Sequence, residues 1–543
     1  MPMKVALIAP PYPLTEAPSP PLGICYVAAA CESAGAEVRI FDYIVSRYTP
    51  EKLRRQLDDF APDVVGATAV TLNYPDAAAI LQTAKRHNPD LITIMGGPHV
   101  TFQAEETLRQ YPEIDVIFMG ESESTLGKWL PMTGDRSAWR GIRGLAFRDG
   151  GEIIQTGPVE LIRDLTELPL PARHLLPLSR YQALGFPVSI ITSRGCPNQC
   201  IFCVGRRMVG ARVRYRNPRR VVDEIEFLVN SGFTRINVAD DLFTANKNHV
   251  RAVCKAILKR NITFGWSAFA RADTVSEEIL ALMKEAGCDA VSFGLESGNP
   301  AMLKRVRKRI TLDQARAAVA MCRRVGMRPH ASFMVGLPGE TPETLADTLT
   351  FARELDIEHG YHFLCPFPGT DIFEKIKDYD LEILTTDWKR YDANSAIVRT
   401  ARMTPEGMEA FVADAYRPMV DHWETLKQRH AEGGCTEAER MAIESEKRLN
   451  MVFDILSKDL IEETGVVPAT EPDPFETLCR RIAAKTAMAE NFVSFHMGNW
   501  VRSNYLSKIA ENGHIRWDWT PSSLPSWIKR DNGRRKQPLV LEN

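Results

Sequence analysis

No stretch of this sequence approaches the roughly 20 consecutive apolar residues that a membrane-spanning helix needs. The first residues, MPMKVALIAPPYPL, carry one lysine and a short apolar run broken by prolines. They lack the cationic, apolar and small-residue blocks of a secretory leader, so a cytoplasmic protein is expected. An excess of charge is missing too. With 67 basic and 69 acidic residues the formal net charge is −2, too balanced for a nucleic-acid polyelectrolyte or a disordered tail. Nor is there a disulfide framework, because 11 cysteines are scattered over 543 residues. Cys25, Cys31, Cys254, Cys288 and Cys322 stand singly in helix-like apolar patterns and read as buried small hydrophobes. The most pointed absence is a fourth cysteine beside Cys196, Cys200 and Cys203.

Those three lie in SRGCPNQCIFC. A structural zinc site takes four protein ligands, and a closed 4Fe-4S cluster takes one thiolate for each iron. Three thiolates leave one iron open to a molecule that reacts there. A zinc or closed-cluster reading needs a fourth ligand from elsewhere in the chain.

At 543 residues the chain exceeds one core, and a prior of roughly 150 residues per domain predicts about three or four domains. The first, residues 1–135, alternates apolar strands (KVALIAP, EVRIFDY, DVVGATAV, LITIMGG, DVIFMG) with helical patterns such as PDAAAILQTAKRH. Near-continuous apolar strands separated by helices predict a doubly wound, Rossmann-like α/β sheet. Its ligand crevice belongs outside the carboxyl ends of the strands. Residues 136–187, with DGGE and LTELPLPARHLLPL, read as a hairpin and a linker.

A second strand–helix series fills 188–395. Its strands are VSIITS, RINVAD, TFGWSA, DAVSFG, HASFMV and YHFLCP. Val250, Val253, Cys254, Ile257 and Leu258 make one helix stripe, and Gly232, Gly287 and Gly326 close three helices. Six parallel units predict a partial (β/α)6 barrel, TIM-like, with its chemistry at the carboxyl ends of the strands. The cysteine triplet follows the first of them. Residues 396–543 read as a mainly helical domain. Trp500, Trp517, Trp519 and Trp527 suit its core, and a lid over an apolar substrate is the alternative. The basic run GRRMVGARVRYRNPRR and the tail KRDNGRRKQ read as solvated segments.

The C-x3-C-x2-C spacing after a strand, with Phe202 before the last cysteine, resembles the cluster loop of the radical S-adenosylmethionine (radical SAM) enzymes. The resemblance implies that Cys196, Cys200 and Cys203 hold a 4Fe-4S cluster whose free iron chelates SAM. Reductive cleavage of SAM then releases a 5′-deoxyadenosyl radical. Later strand ends fit the same family in order. VADDLFT puts Asp240 or Asp241 at the methionyl amine, although many members have Gly-Gly-Glu, and helix capping is the alternative for either. WSAFARAD offers Ser267 and Arg271 to the SAM carboxylate and ribose, and FGLESG offers Glu296 and Ser297 to the ribose. FMVGLPGET offers backbone at Gly336 to the adenine.

The first domain resembles the cobalamin-binding domain of one large branch of that family. PPLGICYVAA, GGPHVT and GESE carry the likeness. It implies cobalamin contacts from Thr68, Thr71, Leu72, Asn73, Tyr74, Gly96, Gly97, His99, Gly120, Glu121 and Glu123. DYIVSR stands where some cobalamin proteins have the cobalt-binding histidine, so no histidine ligand is expected. A doubly wound domain without cofactor is the alternative.

The implied function is methylation of an unactivated carbon through the 5′-deoxyadenosyl radical and methylcobalamin, under anaerobic conditions. The same architecture also fits an oxidative cyclase or rearrangement enzyme, such as the anaerobic chlorophyll-precursor cyclase. A third reading, a non-catalytic cobalamin sensor, leaves the cysteines without a purpose. The substrate remains open among small molecules, lipids, tetrapyrroles and peptides. The implied partner is a low-potential donor such as flavodoxin or ferredoxin.

Overall fold

The computed structural model describes residues 2–522; Trp527 and the basic tail lie outside them. The N-terminal sheet contains β1 (Lys4–Ala9), β2 (Glu37–Asp42), β3 (Val64–Thr68), β4 (Ile92–Gly96), β5 (Val116–Phe118), β6 (Leu145–Asp149) and β7 (Glu152–Gln155). The strand order is β2-β1-β3-β4-β5-β6-β7, with the first five parallel. Strand order reverses between β1 and β3, which opens a crevice at their carboxyl ends. Helices bury apolar faces on both sides, for example Ile24, Cys25 and Ala28 of Leu22–Ser33 and Ile80, Leu81 and Ala84 of Tyr74–His87.

The DGGE hairpin forms, and it belongs to the first sheet. β6 pairs antiparallel with β5, and β7 with β6, so the first sheet runs to Gln155 rather than closing near 135. The hairpin covers the edge that β5 would otherwise expose.

The second sheet contains β8 (Val188–Ile190), β11 (Arg235–Val238), β12 (Gly265–Ala270), β13 (Cys288–Glu296), β14 (Arg328–Val335) and β15 (Glu358–Phe363), all parallel. Two short strands, β9 (Ser193–Arg194) and β10 (Arg214–Tyr215), pair antiparallel on either side of the cysteine loop. The order β15-β14-β13-β12-β11-β8 is an open, sequential barrel sheet. Its helices start with built caps: Thr311 with Gln314, and Thr341 with Thr344, each form a reciprocal capping box. Cys288 opens β13 instead of lying in a helix. It is still buried, as are the other four single cysteines.

The C-terminal part has long helices, Pro405–Ala431 and Glu437–Ser457, and also a three-stranded antiparallel sheet that the sequence reading missed. Trp500 and Trp519 pack with ring centroids 5.6 Å apart, and Phe475 and Trp517 at 5.4 Å. The described tryptophans are therefore core rather than lid. This unit clasps both the segment between the two sheets and the first domain: Arg448 donates to the Ala183 carbonyl at 2.8 Å, and Asp459 pairs with Lys52 of helix Pro50–Phe60 at 2.7 Å. Among the described residues, no helix is long and apolar enough to cross a membrane.

Candidate functional site

β8 and β9 deliver the chain to the barrel mouth, and the cysteines follow at once. The Cys196 N–H donates to the Gly210 carbonyl and the Cys203 N–H to the Cys200 carbonyl, both at 3.1 Å. Asn198 Nδ2 donates to Cys196 Sγ and the Gly205 N–H to Cys203 Sγ, each at 3.4 Å. Burial pushes the Cys203 thiol up to about 11, and the Gly205 N–H pulls it the other way. Cys196 and Cys200 are half-buried and Cys203 is exposed. Beneath them Ile201 is buried with Leu337, Leu364 and Ile372, and half-buried Phe202 lies on the same cluster. Among the described residues no three His, Cys, Asp or Glu side chains converge on one ion. Three thiolates can serve a polynuclear centre taking one thiolate per iron, whereas a structural zinc site takes four protein ligands.

The structure separates the two aspartates. Asp240 is buried, and its carboxylate accepts from the Thr192 N–H at 2.5 Å, Thr192 Oγ1 at 2.6 Å and Ser193 Oγ at 2.6 Å. It braces the first barrel strand against the second. Burial raises its carboxyl pKa despite those hydrogen bonds. Asp241 is exposed and accepts from the Gly195 N–H at 3.0 Å. Its other oxygen and Cys203 Sγ face the same space beside Gly205.

Arg271, buried at the end of β12, is held by Asp273 through two contacts of 3.0 Å and donates to the Lys308 carbonyl at 2.8 Å. The Lys308 ammonium forms a buried pair with Glu296 at 2.6 Å. Glu296 has φ +66, a left-handed conformation that a glutamate adopts only when its surroundings impose it. Burial pushes the Cys200 thiol up, while Lys308 and Arg271 pull it the other way, so this charged group reaches the cysteine loop. Lys308 was not anticipated. In KRVRKR it reads as one more solvated base, and only its burial distinguishes it.

Two expectations on these strand ends fail. Ser297 is completely buried, with its hydroxyl 3.2 Å from Thr348 Oγ1 on the helix behind the sheet. A register shift between Gly294 and Glu296 turns it away from the mouth. Gly336 has φ +94, and a Cβ there would meet Met408 Sδ and Val398 Cγ2 at 3.2 Å. C-terminal residues fill its open side. Ser267 lies on the inner face of the barrel and donates to Asn237 Oδ1 at 3.2 Å.

At the strand-order reversal of the first sheet a cavity of about 280 Å³ opens. Thr68, Gly96, Gly97, Gly120, Glu121 and Glu123 line it, between apolar walls that include Leu7, Ile94 and Phe118. Gly97 has φ +109, and a Cβ there would stand 2.6 Å from the Ala69 carbonyl, so only glycine fits. A narrow apolar slot floored by glycines suits the flat aromatic base of a nucleotide tail. Thr71, Asn73, Tyr74 and His99, expected among the cobalamin contacts, are buried and do not line this cavity. Tyr74 stacks on His99 with centroids 4.0 Å apart, and Trp388 meets the imidazole edge-on at 4.8 Å. Asn73 Oδ1 accepts from the Val70 N–H at 3.1 Å, and His99 Nδ1 lies 3.3 Å from Thr71 Oγ1. These contacts lock the start of the following helix. Burial lowers the His99 pKa to about 4, which keeps it neutral. Leu72 is half-buried on the same loop.

The cavity and the cysteine loop share a wall. Arg194, two residues before Cys196, lines the cavity together with Met208 and Val209 of the short helix after Cys203. Arg194 pairs with Glu123 at 2.6 Å and lies 3.5 Å from Glu121, while Arg214 pairs with Glu121 at 2.5 Å. Both glutamates of GESE are thus spent on arginines of the barrel, a cross-domain latch that the sequence did not reveal.

Two family models match this chain: the Radical SAM superfamily over residues 190–352 and the B12 binding domain over 15–129. An uncharacterized methyltransferase of Pyrococcus horikoshii is 33% identical over 422 residues, which cover 76% of this chain and 92% of that protein. The anaerobic magnesium-protoporphyrin IX monomethyl ester cyclase of Rubrivivax gelatinosus is 29% identical, covering 71% of this chain and 70% of that protein. The solved radical S-adenosylmethionine methyltransferase TsrM of Kitasatospora setae, with cobalamin and a [4Fe-4S] cluster bound, superposes with a TM-score of 0.65 at 20% identity. That match covers 77% of this chain and 89% of the other.

Proposed function

We propose a function from one premise: the chain belongs to the radical SAM superfamily, in the branch that carries a B12-binding domain ahead of the barrel. It is an enzyme whose cofactors are a 4Fe-4S cluster, SAM and cobalamin. The reaction is methylation of an unactivated carbon. When bound, the cluster supplies an electron that cleaves SAM to a radical, and the cobalamin supplies the methyl group.

The observation that carries this reading is the shared wall. Arg194 and the helix after Cys203 border both the cysteine loop and the glycine-floored cavity, so two cofactors would meet at one seam with the substrate between them. Cys196, Cys200 and Cys203 would ligate the cluster. Asp241 would take the methionyl amine, and Arg271 with its Asp273 partner would face the SAM carboxylate, which a guanidinium fork suits. Glu296, held by Lys308, would accept from the ribose. Thr68, Gly96, Gly97 and Gly120 would border the cobalamin tail, with Leu72 under the corrin. A low-potential flavodoxin or ferredoxin would supply electrons.

The cyclase of Rubrivivax gelatinosus supports a second reading, oxidation without methyl transfer. The higher identity and wider cover of the Pyrococcus horikoshii methyltransferase favour the first. Product analysis of the anaerobically reconstituted enzyme, given SAM, reductant and candidate substrates, separates the two. Methylation yields S-adenosylhomocysteine and 5′-deoxyadenosine in equal amounts. Oxidation yields 5′-deoxyadenosine without S-adenosylhomocysteine.

A further inference from the structure

The inner face of the barrel sheet has a composition that the cofactors leave unused. In a closed barrel the inward side chains are bulky, branched and apolar, and they fill the interior. Here strand alternation and register put Asn237, Ser267, Ser292, His330, Ser332 and His362 on the face away from the helices. The opposite face carries Trp266, Val291, Phe293 and Phe333, all buried. Phe269 and Met334 interrupt the polar face, and Phe269 is 49% exposed among the described residues, which leave the space above it open. Gly294 makes room for the Glu296–Lys308 pair, which stands over the middle of the face.

Two hydrogen bonds organise this floor: Ser267 to Asn237 at 3.2 Å, and Ser292 Oγ with His330 Nδ1 at 3.1 Å. The second engages one ring nitrogen, Nδ1, and holds the imidazole in place. His362 is exposed on the neighbouring strand, and its Nε2 and the Tyr416 hydroxyl both approach Gly360. Tyr416 comes from the C-terminal helix Pro405–Ala431 and accepts the Tyr361 N–H at 2.8 Å, so it caps the sheet edge and forms a rim. Burial lowers the His330 pKa, with Glu358 opposing and His362 and His359 adding to the fall. Neutral donors and acceptors make up most of the floor, with the Glu296–Lys308 pair over Gly294 and the exposed Arg328 and Glu358 at its lower end. His330 lies five residues before the end of β14, about 16 Å below the mouth at roughly 3.3 Å per residue.

We propose that this face is the berth of the substrate, and that the substrate is polar: an extended molecule whose hydroxyl, carbonyl or phosphoryl oxygens bond to His330, Ser292 and His362 while its reacting carbon stays at the mouth. The proposal rests on the function given above and adds the substrate class. A hydrocarbon skeleton laid here strips water from these groups and returns no hydrogen bond, so it is disfavoured.

The test is equilibrium dialysis of the cofactor-loaded enzyme, with SAM, against L-tryptophan, cytidine 5′-monophosphate and a detergent-solubilised pentacyclic triterpene. At least one polar probe is expected to bind, and the triterpene is not. Ser292→Val with His330→Phe should weaken polar binding about tenfold. His362→Leu, at an exposed position that folding does not need, should weaken it in the same direction. Cluster absorbance retained in each variant shows that it has folded. Tighter binding of the triterpene, no binding of either polar probe, or polar binding unchanged in both variants overturns the proposal. S-adenosylhomocysteine formation without substrate, read on the same samples, tests the proposed function separately, so the two failures are distinguishable.

Discussion

Among residues, the cysteine triplet was legible because its three members are local in sequence and their spacing states their chemistry. The aspartate pair was not, because adjacent residues of one type differ only in what surrounds them. Asp240 makes three short hydrogen bonds to Thr192 and Ser193, whereas Asp241 is exposed beside Cys203. Asp241→Asn should therefore weaken SAM binding about tenfold to hundredfold, the worth of a charge-assisted hydrogen bond, with iron content intact. Asp240→Asn should lower thermal stability instead, and Cys200→Ala should remove the iron itself. Unchanged SAM affinity in Asp241→Asn, measured by equilibrium dialysis, would remove that residue from the site. Glu340 offers a pH test. It is buried, accepts from the Gly336 and Leu337 N–H groups, and burial raises its pKa to about 8. An acid with a raised folded pKa binds more protons folded than unfolded, so stability falls as pH rises from about 4.5 towards 8. Glu340→Gln should flatten that part of the stability–pH curve, and an unaltered slope in chemical denaturation would contradict it. His99 gives a spectroscopic one. It packs under Tyr74 and Trp388, and the expectation is that it does not ligate cobalt. Paramagnetic resonance of the cob(II)alamin form should show no protein nitrogen coupling and should superimpose with that of His99→Ala.

Among elements, both parallel sheets could be read from apolar runs and helix stripes, because each strand and helix announces itself locally. Their pairings could not all be read. The hairpin β6–β7 declares its turn through DGGE, but nothing nearby says that it joins β5. The latch was hidden for the same reason: Glu121 and Glu123 lie some seventy to ninety residues from Arg194 and Arg214. These side chains are nearly buried and mutually paired. Glu121→Gln leaves Arg214 with an uncompensated charge, which costs about 3–5 kcal/mol for a buried pair. Thermal unfolding should shift down, and cobalamin should be lost more readily because the shared wall loosens. A Glu121→Gln protein that unfolds and retains cobalamin like the parent would show that the latch holds nothing.

For the whole molecule, the doubly wound domain, the open barrel and their order followed from periodicity and motif spacing. The C-terminal unit stayed anonymous because its helices carry no motif, and because the hairpin of Leu506–Glu511 and His514–Trp519 takes its third strand, Val466–Pro468, from beyond two intervening helices. The architecture brings a cysteine loop and a nucleotide-sized slot to one seam, and the account stands on cobalamin and SAM reacting together there. The most direct measurement needs no substrate: S-adenosylhomocysteine released from SAM by the anaerobically reduced enzyme, with and without bound cobalamin. The account predicts S-adenosylhomocysteine stoichiometric with bound cobalamin and none from cobalamin-free protein. Equal amounts in both samples, or none in either while 5′-deoxyadenosine accumulates, would contradict it.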